Sequence, residues 1–503
     1  MRGPVAGLGL FDAAYGRGSY GAADSRARGF QRRSFSSLTN AASHLWLGFA
    51  SSPPRKGRAI AQRAVLPHSA LQGPESFSVS TTSDPARPWL DSYLVDSRRY
   101  TLLILTVYFA LAHLDRQVLA ITLAPIGREF ALSDVQLGLL SGIAFALFFS
   151  TLGLPLALAA SRFNRRNMIA ITVVAWSAMT MLSGLAQSYW QLLVTRMGVG
   201  VGEAGALPAS HALISDRYGP HERASEMGVF MSGANVGVAL ALVGGGFVAQ
   251  YFGWRAALLL AGVPGLLLAA IIRLTVPEPE RQLSGGAASV PGLELLRQTA
   301  ADIARSAPMR LMFAATVLNA VTTFGMVAWL PTFLVRAHGM PLASVGLYLA
   351  VVIGCAGAIG TIAAGRLADR YGVRNPSWMA WVPGLLLLLA KPFAIAGLLT
   401  GSTQLALLLL IVPCIVGAAY VAPTIAVLHG RLDVRQRPIA SALLLFGMNF
   451  IGMGLGPLIV GAVSDAWGGM GAGLTAGLIA VQFFGIAGIA IFVWAGRRMR
   501  AAR

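Results

Sequence analysis

The sequence predicts an all-α membrane protein in which twelve transmembrane helices form two parallel six-helix repeats. Three observations predict it: a very low content of charged residues, a series of long apolar runs, and an internal repeat. Charged residues make up 12% of the 503 residues, hydrophobic residues make up 55%, and the mean hydropathy is +0.66. A soluble chain of this length could not cover its surface with so few charges, so most classes of soluble enzyme are excluded.

The N-terminal segment, residues 1–97, differs from the rest of the chain. It is rich in Gly, Ser, Ala and Arg, and it contains no apolar run long enough to span a bilayer. Such a segment cannot bury enough apolar surface to fold alone, so we expect a disordered basic extension. Two alternatives are an organelle transit peptide, which is typically rich in Arg and Ser, and an upstream start that adds residues absent from the mature protein.

Long apolar runs follow from residue 98 onward. About 20 apolar residues cross the hydrocarbon core, and runs of this length satisfy their backbone groups in lipid as helices. The longest polar gap, 274–308, separates an N-terminal bundle (98–273) from a C-terminal bundle (309–496), which a basic tail (497–503) follows. The predicted spans 1 to 12 are 101–125, 135–160, 167–186, 189–214, 226–250, 253–273, 309–334, 344–366, 377–399, 404–428, 438–463 and 473–496.

Arginine placement predicts the orientation. Lys and Arg total 39 against 20 acids, and only Lys56 and Lys391 are lysines. An isoelectric point near 11.1 is also typical of nucleic-acid binding. However, if the N-terminus lies inside, cytoplasmic segments hold 22 arginines from residue 98 onward, and the opposite face holds only Arg128, Arg255 and Arg336. This positive-inside pattern places both termini in the cytoplasm and favours the bilayer, not nucleic acid, as the partner.

The two halves repeat. GRLADRYGVR at 365–374 corresponds to ALAASRFNRR at 157–166. An arginine followed by glycine and asparagine at fixed spacing occurs at Arg223, Gly233 and Asn235 and again at Arg437, Gly447 and Asn449. Two parallel six-helix repeats with a cavity between them are a transporter plan.

These motifs resemble the major facilitator superfamily, whose signature between the second and third helices of each half is similar to GRLADRYGVR. In the family, the acid of this signature is thought to help close the cytoplasmic side. The first-half copy departs from it, because Ser161 replaces the acid and Asn164 replaces a glycine. The resemblance implies a gating role for Gly365, Asp369, Arg370, Gly372, Arg374, Ser161, Arg162, Arg165 and Arg166.

Further motifs resemble the spinster-like subgroup. They are HLDRQ at 113–117, RMGVGVGE at 196–203, SDRYGPHER at 215–223, YFGWRAA at 251–257, PEPER at 277–281 and the stretch 441–465. The resemblance implies the major facilitator fold, an amphipathic substrate such as a lysophospholipid or sphingoid-type lipid, a monomer, and a bacterial inner membrane. Organic-anion symporters share the Asp-Arg and Arg-to-Glu arrangements, so a small organic anion is the alternative substrate.

Ionisable residues inside spans are the candidate site, because an ionised side chain at mid-bilayer costs about 2.5–3.5 kcal/mol. Asp115 and Arg116 lie halfway along span 1, and we expect one or both to face the central cavity. Asp115 is then the proton carrier, Arg116 binds a substrate anion or tunes the acid, and His113 is a further candidate partner. The alternative is a static ion pair that fixes helix packing.

Arg196 and Glu203 lie seven residues apart on one face of span 4, among glycines that permit close helix packing. A carboxyl group whose surroundings alternate between apolar and arginine-paired states can couple a proton to a conformational change, so Glu203 is the second coupling candidate. Arg196 is either its partner or purely structural. Lys391 in span 9 either extends to the interface or faces the cavity, where it would suit an anionic head group. We expect His211 to be solvated.

The sequence contains no HExxH, Walker or GxSxG motif and no metal-spaced Cys or His set, so neither an enzyme nor a cofactor is expected. Without a Walker loop, uphill transport must use an ion gradient. We therefore expect a proton-coupled secondary transporter that works by alternating access. The alternatives are a symporter of small organic anions, clamped by Arg116 and Arg196, and a non-transporting membrane sensor on the same scaffold.

Overall fold

The computed structural model describes residues 88–219, 222–278 and 292–501. Most of the predicted N-terminal extension, 1–87, lies outside the described residues. The described residues are helical and contain no strand, which confirms the all-α prediction.

Eleven helices in the described part of the chain are long and apolar enough to cross a membrane. Span 4 supplies the remaining crossing in two pieces, because residues 204–205 form a turn between the helices Tyr189–Glu203 and Ala206–Arg217. The order of elements therefore agrees with the predicted twelve-span plan.

The N-terminal bundle contains spans 1 to 6. Their bounds are Pro88–Glu129, Asp134–Ser141 with Ile143–Arg162, Arg165–Gly184, the two pieces of span 4, Arg223–Leu240 with Gly246–Tyr251, and Gly253–Thr275. A linker helix, Gly292–Arg305, follows.

The C-terminal bundle contains spans 7 to 12. Their bounds are Ala307–His338, Leu342–Leu349 with Gly357–Gly372, Trp378–Leu399, Thr403–Val416 with Val421–His429, Arg437–Gly447 with Gly454–Ala466, and Met470–Ala501. Spans 5, 8 and 11 are each interrupted by a π-helical segment, at Ala241–Gly245, Ala350–Ala356 and Met448–Met453. π-Helical turns inside α-helices are frequent at functional sites.

Each bundle buries its own large side chains, and a third apolar cluster joins the bundles. Trp176 and Phe230 lie in the core of the N-terminal bundle, and Phe492 lies in the core of the C-terminal bundle. The third cluster includes Trp329 and Phe333 of span 7 together with residues of spans 1, 2 and 6. Burial of apolar surface thus stabilises both the bundles and their contact.

Two ends of the molecule are distinguished below. The linker face carries the linker helix, and the far face carries the short connections between spans 1 and 2, 5 and 6, 7 and 8, and 11 and 12. The linker helix is attached to the C-terminal bundle, because Gln436 Nε2 donates a hydrogen bond to Asp302 Oδ2 over 2.7 Å.

Polar contacts join the bundles at the far face. The carboxylate of Asp465, at the end of span 11, accepts from the backbone N–H groups of Asp134 (2.9 Å) and Val135 (2.8 Å) at the start of span 2. The carboxylate of Asp134 accepts from Arg336 Nη1 and Ser464 Oγ, each over 2.6 Å. We call Asp134, Arg336, Ser464 and Asp465 the far-face latch.

Glycines allow the backbones to meet beside this latch. A Cβ atom at Gly461 of span 11 would overlap the Asp134 carbonyl oxygen, and one at Gly346 of span 8 would overlap the Leu242 carbonyl oxygen. Gln250 Oε1 also accepts from the backbone N–H of Ala343 over 2.8 Å. The two bundles are therefore in direct backbone contact at the far face.

Candidate functional site

The charged residues of spans 1 and 4 pair across the two helices. Arg196 Nη1 donates to Asp115 Oδ2 over 3.0 Å, and Thr180 Oγ1 of span 3 donates to Asp115 Oδ1 over 2.5 Å. Asp115 is 0% exposed and Arg196 is 2% exposed. This pair is a closed contact among three helices of the N-terminal bundle.

The second pair joins Arg116 to Glu203. Arg116 Nε donates to Glu203 Oε2 over 2.9 Å, and Arg116 Nη2 contacts the same oxygen. The guanidinium also lies 4.7 Å from the ring centre of Phe145 and 4.6 Å from that of Phe149, within the range of cation–π attraction. Glu203 Oε1 is buried without a hydrogen-bond partner among the described residues, so one half of this carboxylate is unsatisfied.

The glycines of span 4 account for how deeply these charges are buried. A Cβ atom at Gly200 would lie 2.6 Å from the Phe145 carbonyl oxygen, and one at Gly202 would lie 2.6 Å from the Trp176 backbone nitrogen. Spans 2 and 3 can therefore approach the backbone of span 4 closely. Water is kept from Glu203, which is 1% exposed.

A central cavity of about 1010 Å³ lies between the bundles. Arg116, His113 and Gln117 of span 1 contribute to its wall, and Leu296 of the linker helix lies at its linker-face end. The Arg116 side chain is 23% exposed, whereas Asp115 and Glu203 do not line the cavity. Of the adjacent pair Asp115 and Arg116, only the arginine faces the cavity.

Lys391 lies in a second cavity, of about 390 Å³, which the C-terminal bundle lines together with Asn235 of span 5. It is 8% exposed, and its Nζ donates to Gln482 Oε1 over 2.8 Å. The interpretation that Lys391 extends to the membrane interface is wrong, because the amine turns inward to an amide partner on span 12. The residue faces this second cavity and does not line the central one, so the alternative that it faces the central cavity is not what the structure shows either.

His211 is also placed differently from the expectation. Its Nε2 is buried without a hydrogen-bond partner among the described residues, and its ring packs edge-on against Phe230 at 5.5 Å. The expectation that His211 is solvated holds only in part: the residue is half-buried and borders the central cavity, but its Nε2 atom is buried.

The signature residues of the first half lie at the linker face. The backbone N–H groups of Arg165 and Arg166 donate to the carboxylate of Glu278 over 2.9 and 2.8 Å, and the Arg165 side chain pairs with Asp216. Glu278 therefore caps the start of span 3 from the end of span 6. The side chains of Ser161 and Arg162 lie outside the described part of the structure.

The second-half signature lies at the end of span 8. Asp369 and Arg370 belong to the last turns of the helix Gly357–Gly372, which continues beyond residue 366, the predicted end of span 8. In the same helix, a Cβ atom at Gly365 would lie 4.0 Å from Ala422 Cβ of span 10. A Cβ atom at Gly372 would lie 2.6 Å from Met379 Cε of span 9, and Arg374 follows the helix in the turn before span 9.

Several polar residues of these sites were missed at the sequence level. Thr180 donates a hydrogen bond to Asp115, and Gln482 accepts one from Lys391. Asn319 and Thr322 of span 7 complete the wall of the second cavity. The available signal was a lone uncharged polar residue inside an apolar run, which is weaker than the signal of a charge.

Comparisons with known proteins agree with this architecture. The family model described as Major Facilitator Superfamily matches residues 105–397. An MFS-type efflux pump of Mycolicibacterium smegmatis is 30% identical over 367 residues, which cover 72% of this chain and 83% of that protein. The sphingosine-1-phosphate transporter SPNS2 of Danio rerio is 29% identical over 243 residues, 47% of each chain.

Among solved structures, a bacterial homologue of the human lysosomal transporter Spinster, in an inward-facing and unoccupied conformation, superposes with a TM-score of 0.74. It is 29% identical, and the match covers 81% of this chain and 98% of that one. The spinster-like resemblance is therefore supported by sequence and by structure. From the family match, the relatives and the shared fold, the chain belongs to the Major Facilitator Superfamily of membrane transporters.

Proposed function

We propose that this transporter is a proton-coupled secondary carrier of an amphipathic, lipid-like molecule of the lysophospholipid or sphingoid type, and that it works by alternating access. The observation that carries the proposal is the pairing of Arg116 with Glu203 at the edge of the central cavity. One charged group there contacts both a buried carboxylate and the space that a substrate would occupy.

Competition for Arg116 is the proposed coupling step. When Glu203 is ionised, the guanidinium is held by the carboxylate, and the pair is neutral. When Glu203 binds a proton, the attraction falls and Arg116 becomes free to bind a substrate group in the cavity. Asp115 and Arg196 form a second pair of the same kind, buried deeper, whose protonation would loosen span 1 against span 4.

The far-face latch supports alternating access. With the latch formed, the bundles meet at the far face while the central cavity extends to the linker helix. Access from the opposite side requires these contacts to break and others to form near the linker face. Two such states whose balance depends on bound protons and substrate constitute alternating access.

The cavity supports an amphipathic substrate. Its volume lies at the upper end of the range for small-molecule sites. Arg116, His113 and Gln117 form a polar region, whereas Phe149, Leu207, Phe324 and Phe446 are among its apolar lining residues. The similarity to a sphingosine-1-phosphate transporter favours the same class of substrate.

The small-organic-anion alternative receives less support. It requires Arg116 and Arg196 to clamp one carboxylate, but both arginines already bind protein carboxylates, and Arg196 is almost completely buried. By the positive-inside pattern we place the linker face and both termini in the cytoplasm, in a bacterial inner membrane, with the protein acting as a monomer.

The test is transport by the purified protein in liposomes. Labelled lysophospholipid, sphingoid base and a small organic acid are offered across a pH step and without one. The proposal expects uptake of the amphiphiles that rises with the proton gradient. Equal uptake with and without the gradient would refute proton coupling, and preferred uptake of the organic acid would favour the alternative. A sensor would move none of them.

A further inference from the structure

Lys391 is a buried cation to which the described residues bring no buried anion. The buried charged side chains among the described residues are Asp115, Asp134, Arg196, Glu203 and Lys391. The first four pair with opposite charges, whereas the one hydrogen-bond partner that the described part of the chain gives Lys391 is the neutral amide of Gln482. An ammonium group removed from water is costly unless a counter-charge accompanies it.

Lys391 lies too deep in span 9 for its ammonium group to reach water at the membrane interface. The residue lies eight positions before Leu399, the end of span 9, which corresponds to about 12 Å along the helix. Its amine donates a hydrogen bond across the bundle to Gln482 of span 12. The remaining two N–H donors of the ammonium group are thus available to a ligand inside the bundle.

Polar side chains line the cavity next to Lys391. Asn319, Thr322 and Gln482 contribute to its wall together with Lys391. A Cβ atom at Gly485 of span 12 would overlap Lys391 Nζ, and one at Gly488 would overlap Asn319 Nδ2. Two glycines one turn apart therefore make the space in which the amine and the amide lie.

This cavity adjoins the central cavity. Thr323, Val327 and Ile353 contribute to the walls of both. A molecule whose apolar part occupies the larger space can therefore place a polar end beside Lys391. The N-terminal bundle offers no equivalent free cation among the described buried residues, because Arg116 and Arg196 are already paired.

We propose that the cavity around Lys391 is a subsite for an anionic group of the substrate, either a phosphate ester or a carboxylate, whose charge Lys391 neutralises. The inference rests on the proposed function. It adds to that function the charge of the substrate and the bundle that recognises this charge. Lys391 then binds the charged head group, and Arg116, released when Glu203 binds a proton, contacts another polar group of the substrate in the central cavity.

Binding and transport are measured separately, so that the two proposals can fail separately. Three amphiphiles with the same acyl chain are used: lysophosphatidic acid, the free fatty acid, and neutral monoacylglycerol. Ligand-induced thermal stabilisation of the full chain in detergent reports binding, and liposome flux reports transport. The variants are Lys391→Met, which is apolar and similar in length, and Lys391→Arg, which keeps the charge.

The wild type is expected to bind at least one of the two anions at least about tenfold more tightly than the neutral lipid, and Lys391→Met is expected to remove this gap while Lys391→Arg keeps most of it. The stronger of the two anions identifies the head group as phosphate or carboxylate. Equal binding of all three lipids by the wild type, or an undiminished anion preference in a folded Lys391→Met protein, would overturn the subsite. Absence of flux despite anion-selective binding would overturn the proposed function alone.

Discussion

Arg116 of span 1 donates two hydrogen bonds to a single carboxylate oxygen of Glu203 in span 4 while its guanidinium forms part of the wall of the central cavity. The neighbouring residue, Asp115, points away from the cavity and pairs with Arg196. Two adjacent residues of one helix thus have different surroundings. One ion pair can be reached from the cavity, and the other is closed within the N-terminal bundle.

This difference predicts unequal stability effects. Asp115→Asn leaves the Arg196 charge almost wholly buried, whereas Glu203→Gln leaves Arg116 partly open to the cavity. We expect Asp115→Asn to destabilise the protein by up to about 3–5 kcal/mol and Glu203→Gln by clearly less. Melting temperatures of the two variants in the same detergent check this order. A lower melting temperature for Glu203→Gln than for Asp115→Asn would contradict the conclusion that the Glu203 pair is reached from the cavity and the Asp115 pair is buried.

The far-face latch predicts a shift between conformations. Asp465→Asn weakens the carboxylate that accepts from the first two N–H groups of span 2, and loss of such a cap costs about 0.5–2 kcal/mol. We expect a larger population with separated bundles at the far face. Spin labels at Gln187→Cys and Gly401→Cys, in a background lacking Cys355 and Cys414, report the separation by electron–electron distance measurement.

The matched control for this experiment is Asp433→Asn. Asp433 lies in the same bundle but between spans 10 and 11, at the linker face. It should leave the distance distribution unchanged. An identical distribution for Asp465→Asn and the wild type would show that the latch contributes nothing to far-face closure.

The contact between spans 5 and 8 predicts a steric block. A methyl group at Gly346 would overlap the Leu242 carbonyl oxygen, whereas a methyl group at Gly244 meets no atom within 4 Å. Gly346→Ala should disfavour the far-face-closed state by about 1–3 kcal/mol and slow transport, since overpacking at a backbone contact is not relieved by side-chain rotation. Gly244→Ala should behave as the wild type. Equal flux and equal label distances in the two variants would contradict the close contact.

The fold was largely predictable because the bilayer imposes one simple rule, that a crossing segment must be long, apolar and helical. Span 4 shows the limit of that rule: its apolar run is continuous in sequence, but the backbone turns at Ala204 and Gly205. Composition alone does not mark this break, because small residues are compatible with a helix as well as with a turn.

The charged residues of the two ion pairs were predictable from the sequence, but their pairing was not. A charge inside an apolar run is conspicuous, so Asp115, Arg116, Arg196 and Glu203 could be found from the sequence. Which arginine meets which acid depends on the rotation of span 1 against span 4, and a single sequence does not encode that angle in any local pattern. The latch was missed for a related reason, since Asp465 lies at the end of a span and resembles an ordinary surface acid.

The central claim is that proton movement and substrate movement are coupled through the carboxylates of spans 1 and 4. The most direct measurement is the pH change inside weakly buffered liposomes, recorded with an entrapped dye, when substrate is added without an imposed gradient. We predict a substrate-driven pH change for the wild type, and none for folded Glu203→Gln, in which residue 203 cannot lose or gain a proton. An equal pH change in the two proteins would contradict the role of Glu203, and substrate flux without any pH change in the wild type would contradict proton coupling itself.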